Sequence, residues 1–167
     1  MDCDGSRSGP WSGSLNRRGL DDVFEREMAR ADRRKSPLCI AMLDLDDFKR
    51  LNDTYGHTAG DEALIHLVRV IKDTLRTMDV IARFGGEEFM IVLPDTNMED
   101  AMQTVTRVQR ELTKRIFMHN NERLLITFSA GVALRIEGED QATLIKRADE
   151  ALYKAKRAGK NRVVAAN

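Results

Sequence analysis

The chain has 167 residues, enough for one domain with a real core and too few for two. Its 27 basic and 27 acidic side chains cancel, which argues against a binder of nucleic-acid polymer, so any phosphate site must be local. With only two cysteines, Cys3 in a polar tail and Cys39 in an apolar run, a disulfide framework is not expected and a reducing cytoplasm suits the chain better.

Residues 1–14 are rich in Gly, Ser and Asp and read as a linker or appended tail, leaving 15–167 as the folded domain. From Asn16 to about Arg34, Leu20, Val23, Phe24 and Met28 recur on one helical face, and Ser36-Pro37 ends the helix. Residues 38–43 form a continuous apolar run, the pattern of a buried central strand, which ends in Asp44-Leu45-Asp46-Asp47. A short helix is expected over 48–52, then a loop holding Tyr55, Gly56, His57 and Gly60. Asp61 is placed as N-cap of a helix carrying Leu64, Leu67, Val68, Ile71 and Leu75.

Residues 80–93 read as a hairpin whose turn is Gly85-Gly86, with glycine supplying positive φ and a bare surface. Asn97 or Glu99 opens a further helix with Met98, Ala101, Met102, Val105, Val108, Leu112 and Ile116 on one stripe. Residues 119–122 form a turn, and 124–133 a long strand. A helix over 141–158 turns Leu144, Ala148, Ala151, Leu152 and Ala155 inward, with Gly159 at C′, and 162–165 adds a last strand. Helices and strands mix without strict alternation, which points to an α+β fold with helices flanking a largely antiparallel sheet. No apolar run reaches membrane-spanning length and no secretory leader is visible; the chain could still be the cytoplasmic end of a longer, membrane-tethered protein.

Several residues could carry chemistry. Glu87 and Glu88 on a bare turn suit a divalent cation, which prefers carboxylate oxygen; the alternative is a solvated acidic turn. Asp44, at the end of a buried strand, could join Glu87 in a metal site or cap the next turn. Lys49 could be brought towards the same pocket by a short helix, or stay solvated. Asn52 and Asp61 could read a guanine edge, or act as helix caps. Lys156 and Lys160 could meet phosphate or complement a helix dipole. His57 and His66 lack metal-ligand spacing, so zinc is not expected.

The strings 44–53 (DLDDFKRLND), Tyr55-Gly56-His57, Gly60-Asp61-Glu62, 83–89 (RFGGEEF) and 148–156 (ADEALYKAK) together resemble the GGDEF domain of diguanylate cyclases, from about residue 9 to 165. The resemblance implies a nucleotidyl cyclase or polymerase-palm-like fold with a central sheet of about five strands. It implies condensation of two GTP into cyclic di-GMP and two pyrophosphates by a dimer, one GTP per domain. Asp44, the Leu45 carbonyl and Glu87 would hold Mg²⁺ (or Mn²⁺), with Glu88 assisting a second ion and Glu87 the base for the 3′-hydroxyl. Asn52 and Asp61 would read guanine. Lys49, Lys156 and Lys160 would bind phosphates, with Phe48 and its backbone, and His57, contributing to the substrate pocket. Arg76-Thr77-Met78-Asp79 matches the family's RxxD motif, which implies a product-inhibition site. There Arg76 would bind phosphate or stack on guanine and Asp79 would accept from a guanine edge, with Arg107 as a secondary contact.

The match departs from the family's opening segment. Asn16, Arg17 and Arg18 are kept, whereas Gly9 replaces an acid and Trp11 and Ser14 replace leucines. No receiver or other sensory domain is recognisable in this chain, so the input is expected from elsewhere. The alternative reading is a catalytically silent module that binds GTP or cyclic di-GMP and signals through a partner.

Overall fold

The computed structural model describes residues 14–167; the expected tail, with Cys3, Gly9 and Trp11, lies outside the described residues apart from Ser14, which is buried. Leu15 forms a parallel bridge to Ala82, so the chain is already tied to the sheet there. Helix α1 (Arg17–Arg34) starts where the Asn16 side chain accepts from the Gly19 amide at 2.9 Å, and stops at Lys35 in the left-handed region. Then follow β1 (Leu38–Leu45), α2 (Phe48–Tyr55), α3 (His57–Thr74), β2 (Val80–Gly85), β3 (Glu88–Pro94) and α4 (Met98–Lys114). The chain closes with β4 (Phe117–His119), β5 (Glu122–Leu124), β6 (Phe128–Leu134), α5 (Gln141–Arg157) and β7 (Val163–Ala165).

The main sheet has the order β2-β3-β1-β6-β7, antiparallel except for the β6–β7 pair, while β4 and β5 form a separate two-stranded ribbon. β1 is central and buried on both faces, which is why it reads as an unbroken apolar run. Cys39, Ala41 and Leu43 face α3 and α4 through Leu67, Ile71, Val105 and Val108. Leu38, Ile40 and Met42 face α1 and α5 through Leu20, Phe24, Leu144 and Leu152. The Cys39 thiol donates to the Thr96 carbonyl, and burial pushes its pKa up to about 12. No helix among the described residues is long and apolar enough to cross a membrane.

One close approach positions the site. A Cβ on Gly131 of β6 would lie 2.2 Å from the Ala148 carbonyl and 2.3 Å from the Leu152 amide. Only glycine lets α5 lie so close against the sheet. The C-terminal turn of α5, with Lys156, is thereby brought over the end of β1.

Four expectations are corrected. Asp61 caps no helix: α3 begins at His57, because Gly56 at φ 95° makes a sharp break directly between α2 and α3. The loop around Tyr55–Gly60 is therefore helix on both sides of one residue. The long strand over 124–133 is two strands, since 122–124 turns back onto 117–119 through Asn120 and Asn121, both at positive φ. Ile116 leaves the α4 stripe because that helix ends at Lys114, and the side chain is exposed.

Candidate active site

The C-terminal end of β1 sits between β3 and β6, with Asp44 opposite Glu88 on one side and Ser129 on the other. Asp44 is largely buried, and its Oδ1 has no hydrogen-bond partner. Burial raises its pKa to about 7; Lys156 opposes the rise, while Glu87, Glu88 and Asp46 add to it. Glu88 is raised too, first by burial and then by Asp149 and Glu87. A buried acceptor without a donor among like charges is costly to keep. A cation would relieve it.

The acidic turn is clamped rather than loose. Arg83 donates to the Gly86 carbonyl from Nε at 3.0 Å and from Nη2 at 2.6 Å. Arg17 donates to the Phe84 carbonyl at 3.3 Å, and its guanidinium lies 4.0 Å from the centre of the Phe84 ring. The Leu45 amide donates to the Glu87 carbonyl at 3.4 Å, joining the turn to β1. Neither Gly85 nor Gly86 uses positive φ, contrary to the expectation from sequence. What Gly86 supplies is open space, since nothing lies within 4 Å of where its Cβ would stand.

Two residues beyond Asp44, Asp46 has the opposite environment. It accepts from Ser129 Oγ at 2.6 Å, Thr127 Oγ1 at 2.7 Å, Lys156 Nζ at 2.9 Å and the Asn161 amide at 2.9 Å. Burial alone would raise its pKa, but these donors hold it below the ordinary carboxylate value. Sequence reasoning gave Asp46 no role, although it stands in the Asp44–Asp47 string. It ties the β1–α2 loop to β6 and to the turn after α5. Lys156 Nζ also reaches the Leu45 carbonyl at 3.3 Å and Asp44 Oδ2 at 3.8 Å. Lys160 Nζ meets Asp47 Oδ1 at 2.6 Å on the surface. Gly159 at φ 124° turns the chain there, as its placement at C′ anticipated.

Phe48 is half-buried against the core at the start of α2, and His57 is exposed at the start of α3. Lys49 is not brought to the pocket: it is solvent-exposed and bonded to Asp53 at 2.9 Å, one helical turn on. Asn52 Oδ1 is buried without a partner, and a Cβ on Gly60 would stand 1.8 Å from it. Gly60 is therefore what lets Asn52 lie beside the residue preceding Asp61.

Arg76 and Asp79 form a closed knot at the far end of α3. Asp79 Oδ2 accepts from the Arg76 amide at 3.0 Å and from Nε at 3.1 Å, and Oδ1 accepts from Nη2 at 2.8 Å. The same Nη2 reaches Thr96 Oγ1 at 2.7 Å and the Pro94 carbonyl at 3.0 Å. The Asp79 side chain has no exposed surface, so it presents nothing to a guanine edge, which corrects that expectation. Half of the Arg76 side chain stays open. Arg107 is exposed on α4 and lines a shallow groove with Met102, Gln103, Thr106 and Arg110.

Among the described residues no group of three His, Cys, Asp or Glu side chains is arranged to hold a metal ion by itself. The strand end offers an orphaned carboxylate, two neighbouring glutamates and a backbone carbonyl. That set fits a hard cation of the Mg²⁺ kind, which takes few protein ligands and completes its shell with water and phosphate oxygens.

Comparison with known proteins agrees with this arrangement. The family described as "Diguanylate cyclase, GGDEF domain" matches residues 10–162. Diguanylate cyclase DgcP of Pseudomonas aeruginosa is 42% identical over 92% of this chain and 23% of its own length. Diguanylate cyclase DosC of Escherichia coli is 41% identical over 89% and 33% respectively. The chain thus spans about a quarter to a third of these relatives. Among solved structures, the GGDEF domain of DgcB from Caulobacter crescentus, in complex with c-di-GMP, superposes with a TM-score of 0.92 at 35% identity, covering 99% of this chain and 98% of that one. The active GGEEF domain of a diguanylate cyclase from Vibrio cholerae gives 0.85 at 38% identity, covering 91% and 97%. Fold, motif string and sequence agree over nearly the whole chain, which therefore belongs to the diguanylate cyclase GGDEF-domain family.

Proposed function

We propose that this domain condenses two GTP molecules into cyclic di-GMP and two pyrophosphates. The observation that carries the reading is the orphaned, buried Asp44 carboxylate beside Glu87 and Glu88, with two lysines within reach of the same strand end. Asp44, the Leu45 carbonyl and Glu87 would hold Mg²⁺ (or Mn²⁺), with Glu88 helping a second ion. Bound there, the cation supplies charge neutralisation for the triphosphate and for the attacking 3′-oxygen. Glu87 takes the proton of the 3′-hydroxyl. Asn52 and Asp61 read guanine, and Phe48 with its backbone lines the triphosphate cradle next to His57.

The lysines are poised to change partners. Lys160–Asp47 is a solvent-exposed pair, which water and salt keep weak, so phosphate draws Lys160 away at little cost. Lys156 can also leave, because Asp46 keeps its Ser129, Thr127 and Asn161 donors. Arg76, steadied by Asp79, presents its open guanidinium edge to the product as an inhibitory contact, with Arg107 secondary. Each domain holds one GTP, so two copies must face each other, and bringing the reactants together makes the step effectively intramolecular. Turnover per molecule should rise with protein concentration, measured as pyrophosphate release across a dilution series; a flat dependence would rule out a weakly associating active dimer.

A further inference from the structure

The β4–β5 ribbon belongs to no part of the catalytic constellation, stands apart from the main sheet, and is nevertheless bonded to both α2 and α3. On α3, Glu62 Oε1 lies 2.8 Å from His119 Nδ1, and His66 packs on Phe117 with ring centres 5.3 Å apart. Glu62 and His66 are one turn apart, so the ribbon grips one face of α3 at two points. On α2, the Tyr55 hydroxyl donates to Glu122 Oε2 at 3.0 Å, and the Tyr55 ring meets His119 edge-on at 6.3 Å. His119 is buried, with Asn120 Nδ2 3.2 Å from its Nε2. A carboxylate can only accept, so the contact to Glu62 is made by an Nδ1–H of His119.

These contacts straddle a joint. Between Asn52 and Asp61 the chain is helical except at Gly56, whose φ of 95° breaks the rod. The angle between α2 and α3 at Gly56 sets how Asn52 and Asp61 face each other. Tyr55 immediately precedes the joint, and Glu62 directly follows Asp61. We propose that the β4–β5 ribbon is a strap across this joint, and that His119 and Tyr55 are positioning residues for base selectivity. The proposal rests on Asn52 and Asp61 being the guanine contacts.

Its test is titration calorimetry of the whole chain with the non-cleavable α,β-methylene analogues of GTP and ITP, and with pyrophosphate. Inosine lacks the 2-amino group, so the ratio of the two analogue affinities reports base reading, and pyrophosphate reports the phosphate subsite alone. His119→Ala and Tyr55→Phe are expected to weaken the GTP analogue about 10-fold, the ITP analogue at most about 3-fold, and pyrophosphate not at all. His119→Asn, whose amide can donate to Glu62, should restore the preference. Equal weakening of both analogues, or an unchanged preference with only a lower melting temperature, would overturn the strap. If His119→Ala does not fold, Tyr55→Phe, which removes one surface hydroxyl, decides the matter by the same affinity ratio. Asp61→Asn serves as control: if it keeps the wild-type preference, the guanine reading fails and takes the strap with it.

Discussion

The end of β1 and the Arg76 knot are both dense in charge, yet they are built on opposite principles. At the knot every oxygen of buried Asp79 accepts from Arg76, whose guanidinium is shared with Thr96 and the Pro94 carbonyl. At the strand end, Asp44 is buried with one oxygen unpartnered and three other carboxylates raising its pKa. Asp79 is fully satisfied as it stands, and the knot joins the end of α3 to the start of α4. The strand end keeps an unsatisfied acceptor, which a cation would complete on the proposed reading. Satisfied charge holds the fold together, and unsatisfied charge waits for a ligand.

The contrast is sharpest in what substitutions should do. Glu87→Gln should lower turnover at least about 10³-fold while leaving the melting temperature within about a degree or two, since the change keeps the size of the side chain and the backbone bond that joins the turn to β1. Retained activity would remove Glu87 from the mechanism. Arg76→Ala should do the reverse. It strands a buried carboxylate, softened by the Arg76 amide that remains, so a loss of about 2–3 kcal/mol and roughly 5–10 °C is expected, with the initial rate near normal and product inhibition weakened. Thermal melts together with rates measured at added cyclic di-GMP would check this. An unchanged melting temperature would mean the knot holds nothing.

Asp44→Asn should show a smaller shift than Arg76→Ala and of opposite sign, stabilising the metal-free protein by roughly 3–6 °C at pH 8 while abolishing turnover. The sign follows from the raised pKa. In the folded chain Asp44 keeps its proton up to about 7, so folding loses stability as pH rises from the ordinary carboxylate range through that value. The gain from asparagine should therefore shrink at pH 5. A destabilised variant at pH 8 would show that the carboxylate is satisfied after all.

How much of this was legible in the sequence follows the reach of each interaction. The buried β1 run, the Gly85-Gly86 hairpin, the amphipathic helices and the Gly159 turn depend on local pattern, and all were readable. The start of α3 was not, because the choice between Gly56 and Asp61 as the helix boundary depends on α2 and α3 packing through Gly60 against Asn52. The β4–β5 ribbon was half visible: Asn120-Asn121 marked the turn, but three-residue strands carry too little period to be seen. Asp46, Arg17 and Arg83 act through polar bonds to residues distant in sequence or to backbone carbonyls, which leave no spacing signal. The Lys49–Asp53 pair is an i, i+4 contact and so legible in the spacing alone.

The most direct measurement is separation of the nucleotides after concentrated protein, dimerised by a fused leucine zipper, is incubated with GTP and Mg²⁺, alongside the same fusion carrying Glu87→Gln. A cyclic di-GMP peak with two pyrophosphates per product, absent in the variant, is the predicted result. GTP recovered intact from both fusions would contradict a cyclase and leave a silent nucleotide-binding module.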